Sequence, residues 1–266
     1  MFKYKLGIIG AGNMSGAITG GILSGGKISP KDIAVSDIDA DKLTVLAKNG
    51  FNTTSDNKYV VKNSENILFA VKPQSFSRIA EEIRGDLKAE AVISIMAGID
   101  TTKLSEYFGK DKKICRIMPN TPCVIGKGIC ALTFVNYDEK DKPFIFDIFG
   151  NLGETAELSE DKFDAVTAVS GSGPAYVYTF LDAVIKGGVI NGLTAQEAKL
   201  LAISVFKGAA ELAGLSDKPL SELIKNVTSK GGTTEAALNV FESKGLSGVI
   251  TEGVNAAANR SKELGR

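Results

Sequence analysis

The sequence contains no histidine, and its three cysteines form no C-x-x-C pair. Cys115, Cys123 and Cys130 alone are a poor ligand set for zinc, so no metal site is expected. An odd number of cysteines without paired spacing is typical of buried free thiols in a reducing compartment. The lack of histidine also argues against most alcohol dehydrogenations, which need a group that titrates near neutral pH.

The sequence also lacks an excess of either charge and any long apolar run. Thirty-one basic residues balance thirty-one acidic ones, which argues against nucleic acid or an anionic membrane as the main partner. No apolar stretch approaches the roughly 20 residues that a membrane-spanning helix needs. The N-terminus runs directly into a strand-like segment that leaves no room for a signal peptide. We therefore expect a cytoplasmic protein with no membrane or nucleic-acid partner.

What the sequence does contain is a glycine turn between an apolar run and a helical pattern. In "GIIGAGNMSGAI" (7–18), the spacing Gly10-x-Gly12-x-x-Ser15 is close to the dinucleotide-binding fingerprint. The two glycines permit a tight turn and the close approach of a pyrophosphate to a helix N-terminus. The order of strand, glycine turn and helix predicts a nucleotide-binding unit at the start of the chain.

Strand-like and helix-like segments alternate after this turn. Strands are predicted over 32–37, 66–73, 91–98 and 113–120, with helices over 39–50, 75–83 and 101–109. Apolar strands that alternate with helices indicate a mostly parallel, doubly wound sheet covered on both faces. Ligands of such sheets lie beyond the carboxyl ends of the strands. We predict an α/β fold whose Rossmann-type N-terminal domain spans residues 1–161.

From residue 162 the strand signals fade and helical patterns take over. Helices are predicted over 173–192, 194–214, 219–227, 234–245 and 246–264. Thr194, with Glu197 three residues on, forms a capping-box pattern. The 173–192 helix is apolar on most sides, so we expect it to be buried in a core or a subunit interface. Residues 162–266 are therefore predicted to form an all-α dimerisation domain.

Polar residues follow two of the predicted strands. Asp37 ends the second strand, where an acid can accept hydrogen bonds from the adenosine ribose and repel a 2′-phosphate. Ser36 can instead donate to such a phosphate, so the choice between NADH and NADPH stays open. Lys72, at the mouth of the sheet, can hold a cofactor phosphate or ribose. The alternative is that neither residue contacts a cofactor: Asp37 is then a solvated acid in a turn, and Lys72 a surface lysine.

A second glycine loop lies in the helical half. The stretch "VTSKGGTTEAAL" (227–238) gathers hydroxyls and a glycine pair at the start of a predicted helix. Consecutive backbone N–H groups at such a turn can hold a carboxylate, and the hydroxyls can complete the cradle. The alternative is that the loop only begins a helix, with Thr233 or Thr234 as its N-cap.

Four stretches together resemble the pyrroline-5-carboxylate reductase family, whose members make proline by reducing a cyclic imine. The stretches are "GIIGAGNMSGAI" (7–18), "AVKPQ" (70–74) with "RIMPNTP" (116–122), "SGSGPAYVY" (170–178) and "VTSKGGTTEAALNVFE" (227–242). The last two, in that order, are much more selective than the first. The resemblance implies NADPH- or NADH-dependent reduction of 1-pyrroline-5-carboxylate to L-proline, by a homodimer or a larger homo-oligomer built from dimers.

The resemblance also implies which residues form the site. Cofactor contacts are expected from Gly10, Ala11, Gly12, Asn13, Met14, Ser36, Asn57, Ala70, Val71, Lys72, Pro73, Met96, Ala97 and Gly98. The substrate is expected against Ser229, Gly231, Gly232, Thr233 and Thr234. Of these, Thr234 is the hydroxyl that we expect nearest the ring nitrogen, where it orients the imine and relays a proton from water.

The sequence departs from the family pattern at two places. Lys230 stands where the family usually has proline, which changes the stiffness and the charge of the loop. The segment "SDIDADK" (36–42) lacks the arginine that many members carry after the second strand, which weakens the expectation of NADPH.

Two other function classes remain as alternatives. A hydroxyacid dehydrogenase of the same two-domain plan needs a lysine or histidine on the first long helix of the second domain. This chain offers only Lys186, far along that helix. A nucleotide-sensing module would bind the cofactor without turnover, although it has no need of a second cradle for a small anion.

Overall fold

The computed structural model describes residues 2–264 as eight strands in one sheet and twelve α-helices. The strands are β1 (Tyr4–Ile9), β2 (Ile33–Ser36), β3 (Asn52–Thr54), β4 (Ser64–Phe69), β5 (Ala91–Ser94), β6 (Lys113–Pro119), β7 (Gly128–Val135) and β8 (Gly153–Glu157). The helices are α1 (Asn13–Gly25), α2 (Ala40–Lys48), α3 (Asn57–Asn63), α4 (Phe76–Ile83), α5 (Thr101–Phe108), α6 (Lys142–Phe149), α7 (Phe163–Val166), α8 (Gly173–Ile190), α9 (Ala195–Leu215), α10 (Leu220–Asn226), α11 (Thr233–Ser243) and α12 (Leu246–Leu264).

The sheet has the strand order β3-β2-β1-β4-β5-β6-β7-β8. Strands β1 to β6 run parallel, β7 pairs antiparallel with β6, and β8 pairs parallel with β7. The chain order reverses between β1 and β4, and a crevice for a ligand opens at such a reversal. The predicted α/β fold, with a mostly parallel sheet and a helical C-terminal part, is confirmed.

Apolar side chains cover both faces of the sheet. On β5, Ile93 belongs to a buried cluster that includes residues of α1 and α6. Its neighbour Val92 belongs to a second cluster that includes residues of α4 and α5. Successive residues of a strand point to opposite faces, so a strand between two helical layers must be apolar throughout.

Several elements lack a sequence signal, and two predicted strands are too long. β3 is short and polar, and α3 is a short helix in which only Val60 and Val61 are buried. β7 and β8 form an added edge that runs against the first six strands. The predicted 91–98 strand ends at Ser94, and the predicted 66–73 strand ends at Phe69. Pro73 begins a short 3₁₀ turn instead, because proline has no N–H to donate to a neighbouring strand.

The three cysteines are free and buried, as predicted. Burial raises the pKa of the Cys115 thiol well above its ordinary value. The sulfur atoms of Cys123 and Cys130 lie 3.8 Å apart, in a thiol hydrogen bond rather than a disulfide.

The chain divides into two compact units. One consists of residues 2–172 together with 257–264, and the other of residues 173–256. The division at 161/162 that the sequence predicts stays a prediction. In the second unit the capping box is confirmed, because the Glu197 N–H donates to Thr194 Oγ1 and the Thr194 N–H donates to Glu197 Oε2. Among residues 2–264, none of the helices combines the length and the apolar character needed to cross a membrane.

Arg116 on β6 is a buried cation in the first unit. Its side chain is 8% exposed, it pairs with Glu160, and its guanidinium lies 4.7 Å from the centre of the Phe163 ring. We expect Arg116→Met to lower the free energy of unfolding by about 2–4 kcal/mol, because the partner carboxylate loses its counter-ion. Urea denaturation measures the loss. Lys140→Met is the control, since its pair with Asp138 is 79% and 72% exposed, and equal losses in both variants would contradict the role given to Arg116.

Candidate cofactor site and substrate loop

The turn after β1 brings three chain segments together at Gly10. This residue has a φ of 103°, and its N–H donates to the Ser36 carbonyl at 2.7 Å. A Cβ atom at this position would lie 2.6 Å from the Ala70 carbonyl oxygen. Only glycine meets both conditions, because side chains disfavour this backbone region and the neighbouring atom belongs to the main chain.

Helix α1 begins directly after this turn and leaves its N-terminus open. Gly12 is the N-cap residue, and among residues 2–264 no side chain caps the helix and no acid lies in its first turn. A Cβ atom on Gly12 would meet nothing within 4 Å. Ala11, Gly12 and Asn13 line one end of a groove of about 840 Å³. The open turn, its N–H donors and the helix dipole fit a dinucleotide pyrophosphate.

The other predicted cofactor residues follow neighbouring strands at the same edge of the sheet. Ser36 is the last residue of β2, and its hydroxyl donates to Asn57 Oδ1 at 2.8 Å. The segment from Ala70 to Pro73 follows β4, and the Ala70 N–H donates to the Ile9 carbonyl at 2.9 Å. The segment 96–98, which holds Met96, Ala97 and Gly98, follows β5. The structure thus brings these residues to one edge, and their contacts with a cofactor stay a prediction.

Asp37 ties the end of β2 to the glycine turn. Its Oδ2 accepts the Ala11 N–H at 2.5 Å, and its Oδ1 accepts the Asp39 N–H at 2.9 Å. Asp39 in turn caps α2 and pairs with Lys42 at 3.1 Å. The hydrogen bond from Lys42 lowers the pKa of Asp39, and the same contact raises the pKa of Lys42.

The second glycine loop ends in the open N-terminus of α11. Gly231 has a φ of 73°, and Gly232 is the N-cap residue. In the described part of the chain, no side chain caps this helix. The alternative in which Thr233 or Thr234 is the N-cap is therefore wrong, because both residues lie inside the first turn.

Some backbone N–H groups of this loop donate to acceptors in the protein, and others have no acceptor there. The Gly231 N–H donates to Glu235 Oε2 at 2.6 Å, and the Gly232 N–H donates to the Ser229 carbonyl at 3.0 Å. The N–H groups of Thr233 and Thr234 have no acceptor within residues 2–264, as is usual for the first turn of a helix. The donors that can face an anion are therefore those of the threonines rather than those of the glycine pair.

Sequence reasoning did not find Glu235. Its carboxylate reaches back from the third residue of α11 to the residue before the N-cap. An acid at the third helical position after a turn is the pattern of a capping box. That spacing is visible in "GGTTE" (231–235), and it is the sequence signal that could have indicated the role of Glu235.

We expect Gly10→Ala to abolish dinucleotide binding and to destabilise the first unit. An alanine there meets the strain of the positive φ, about 1–2 kcal/mol, and a contact with the Ala70 backbone. Calorimetric titration with NADH and a thermal melt measure the two effects. Gly85→Ala is the control, because this residue of the first unit lies outside the groove and has nothing within 4 Å of its Cβ. NADH binding by Gly10→Ala at the wild-type affinity would contradict the assignment of this turn to the cofactor.

The two parts of the chain match two family descriptions. Residues 160–264 match the family described as "Pyrroline-5-carboxylate reductase dimerisation". Residues 5–98 match the family described as "NADP oxidoreductase coenzyme F420-dependent".

The whole chain is similar to curated and solved pyrroline carboxylate reductases. The pyrroline-5-carboxylate reductase of Synechocystis sp. is 37% identical over 266 residues, which cover 99% of both chains. A crystal structure of the pyrroline carboxylate reductase of Plasmodium falciparum with NADP bound superposes with a TM-score of 0.90 at 33% identity, with 100% of both chains covered. The Coxiella burnetii pyrroline-5-carboxylate reductase gives a TM-score of 0.91 at 33% identity over 99% of both chains. This chain belongs to the pyrroline-5-carboxylate reductase family.

Proposed function

We propose that this chain reduces 1-pyrroline-5-carboxylate to L-proline, with NADH or NADPH as the hydride donor. The observation that carries the proposal is the open N-terminus of α11, where the Thr233 and Thr234 N–H groups have no acceptor in the described chain. The substrate is a small ring with a carboxylate, and the free donors at the start of a helix match that group. The match to reductases of this family over the full length of the chain supports the same reaction.

The loop holds the substrate by its carboxylate. The N–H groups of Thr233 and Thr234 donate to its oxygens, and the helix dipole of α11 favours the negative charge. Lys230 is exposed beside the donors and adds a positive charge to the loop. The bond from the Gly231 N–H to Glu235 fixes the turn, so the donors are in place before the substrate arrives.

The ring nitrogen needs a hydrogen-bond partner rather than a strong acid. A cyclic imine that binds in its protonated form already carries the proton that the product amine keeps. The Thr234 hydroxyl can accept a hydrogen bond from that N–H and exchange protons with water. A chain without histidine is suited to such chemistry, because no group has to titrate near neutral pH.

The glycine turn after β1 is the part of the chain that holds the cofactor. When bound there, a reduced nicotinamide supplies the hydride. The residues from Gly10 to Met14 hold its phosphates through the N-terminus of α1. The segments 70–73 and 96–98, after β4 and β5, extend the same edge of the sheet toward the rest of the cofactor.

A hydroxyacid dehydrogenase is less well supported by the second unit. Such an enzyme needs a lysine or histidine on α8, and Lys186 is the only one on this helix. Its amine pairs with Asp182 at 2.6 Å, and its side chain is 72% exposed. An exposed ion pair between residues one helical turn apart is an ordinary surface pair, and it stabilises the helix by about a few tenths of a kcal/mol.

We expect Thr234→Ala to lower kcat/KM for 1-pyrroline-5-carboxylate by about 10- to 100-fold, the effect of losing one hydrogen bond to a charged group. The assay follows nicotinamide oxidation at several substrate concentrations, with and without substrate. Thr234→Ser is the matched control, because it keeps the hydroxyl and should retain most of the activity. Cofactor binding without turnover on this imine by the wild-type protein would overturn the proposed reaction, and hydroxyacids would then be tested before a sensing role is accepted.

The second unit supports a homodimer. Within the described residues, its buried side chains are only Ala198 and Ala202, whereas Leu200 and Leu215 are 68% and 80% exposed. Helix α8, which the sequence predicts to be buried in a core or an interface, has no buried residue in the single chain. An exposed apolar surface of this extent marks an interaction site. A second copy of the chain would cover this surface, and larger assemblies can be built from such dimers.

We expect Val249→Asp to shift the protein from dimer to monomer, because Val249 lies in the apolar groove of about 370 Å³ formed by α8 and α12. Light scattering coupled to size-exclusion chromatography gives the mass. Lys140→Glu changes an exposed charge in the first unit and should leave the mass unchanged. A monomeric wild-type protein at micromolar concentration would contradict the homodimer.

The cysteine residues support a cytoplasmic location. Three cysteines without a C-x-x-C pair, all of them buried, are typical of proteins in reducing compartments.

A further inference from the structure

The end of β2 is the part of the first unit where the two nicotinamide cofactors of the proposed reaction can be distinguished. A dinucleotide whose pyrophosphate lies on the N-terminus of α1 places its adenosine ribose near the end of the second strand. NADH and NADPH differ only at this ribose, which carries a 2′-hydroxyl in NADH and a 2′-phosphate in NADPH. The side chains at the end of β2, Asp37 and Ser36, therefore lie at the one group that distinguishes the two molecules.

The first of these side chains, Asp37, is fixed in position by two backbone donors. Its Oδ2 is 2.5 Å from the Ala11 nitrogen, and its Oδ1 is 2.9 Å from the Asp39 nitrogen. Each bond uses one lone pair of a carboxylate oxygen, and each such oxygen has a second lone pair. Asp37 can therefore accept a hydrogen bond from a ribose hydroxyl without giving up its place at the turn.

The second side chain, Ser36, cannot take the opposite role. Its hydroxyl is fully buried and donates to Asn57 Oδ1 at 2.8 Å. The Asn57 amide nitrogen lies 3.5 Å from both carboxylate oxygens of Glu82, so this donor too faces an acid. The hydroxyl that would otherwise bind a 2′-phosphate is thus used inside the protein, and the amide beside it faces an exposed carboxylate at the surface.

The local charge also disfavours a phosphate. The segment 37–42 contains three aspartates and one lysine, which gives a formal charge of −2. Its single cation, Lys42, pairs with Asp39 at 3.1 Å. A 2′-phosphate that recruits Lys42 would have to separate this pair and still approach Asp37.

We propose that this enzyme prefers NADH to NADPH, and that the Asp37 carboxylate sets the preference by accepting the 2′-hydroxyl and repelling a 2′-phosphate. The inference rests on the proposed function for the identity of the cofactor class. What the inference adds is the choice of NADH rather than NADPH, made by residues of this chain.

The test is direct binding of NADH and of NADPH to the wild-type protein by calorimetric titration, without imine substrate. We expect NADH to bind about 10- to 100-fold more tightly, the range for one hydrogen bond to a charged group. The ratio should fall at high salt, because screening weakens the repulsion of the phosphate. Equal affinities, or tighter binding of NADPH, would overturn the preference while leaving the proposed reaction intact. Failure to bind either cofactor would instead contradict the cofactor site itself.

Substitution then tests whether Asp37 is the cause. We expect Asp37→Asn to reduce the ratio of the two affinities at least fivefold, mainly through tighter NADPH binding, because the charge is lost. The side chain keeps its size, but its single amide oxygen can accept only one of the two backbone N–H groups that hold Asp37. Asp41→Asn is the matched control, since it removes a charge from the same segment at an exposed residue of α2. A thermal melt shows that each variant is folded. An unchanged ratio in folded Asp37→Asn, or an equal change in both variants, would contradict the role of Asp37.

The salt dependence in the wild-type protein keeps the proposal testable if Asp37→Asn does not fold. Repulsion by a carboxylate predicts that NADPH gains affinity relative to NADH as salt is added. A ratio that does not change between low and high salt would show that charge does not set the preference.

Discussion

The close approach of three chain segments at Gly10 is the constraint on which the cofactor site depends. β1 ends between β2 and β4, so its last residues must pass the Ser36 and Ala70 carbonyl groups before α1 begins. A residue with a Cβ atom would push β1 away from β4. Because glycine allows the contact, the chain can turn sharply enough to point the first N–H groups of α1 out of the sheet.

The two glycine loops lead into their helices, α1 and α11, with the same local structure. Each ends in a helix whose N-cap is a glycine with extended backbone, Gly12 before α1 and Gly232 before α11. In each, a carboxylate accepts the N–H of the residue just before that glycine. Asp37 does so at Ala11 from a neighbouring strand, and Glu235 does so at Gly231 from within its own helix.

This arrangement separates the donors that hold the loop from those that hold a ligand. The carboxylate satisfies an N–H outside the helix, and the N–H groups of the first turn stay available to an anion.

The glycine pattern, the alternation of apolar strands with helices, and the capping box of Thr194 and Glu197 could all be predicted from the sequence, because each depends on residues close together in the chain. The polar β3 and the added strands β7 and β8 could not, since their pairing is decided by the sheet that they join. The sequence also suggested that Asp37 or Ser36 selects the cofactor, but it left the choice between them open. Only the tertiary structure shows that Ser36 is used by Asn57, which is 21 residues away, and that Asp37 is held by Ala11, which is 26 residues away. Local spacing fixes helices and turns, whereas the partner of a polar side chain depends on which distant segment the fold brings beside it.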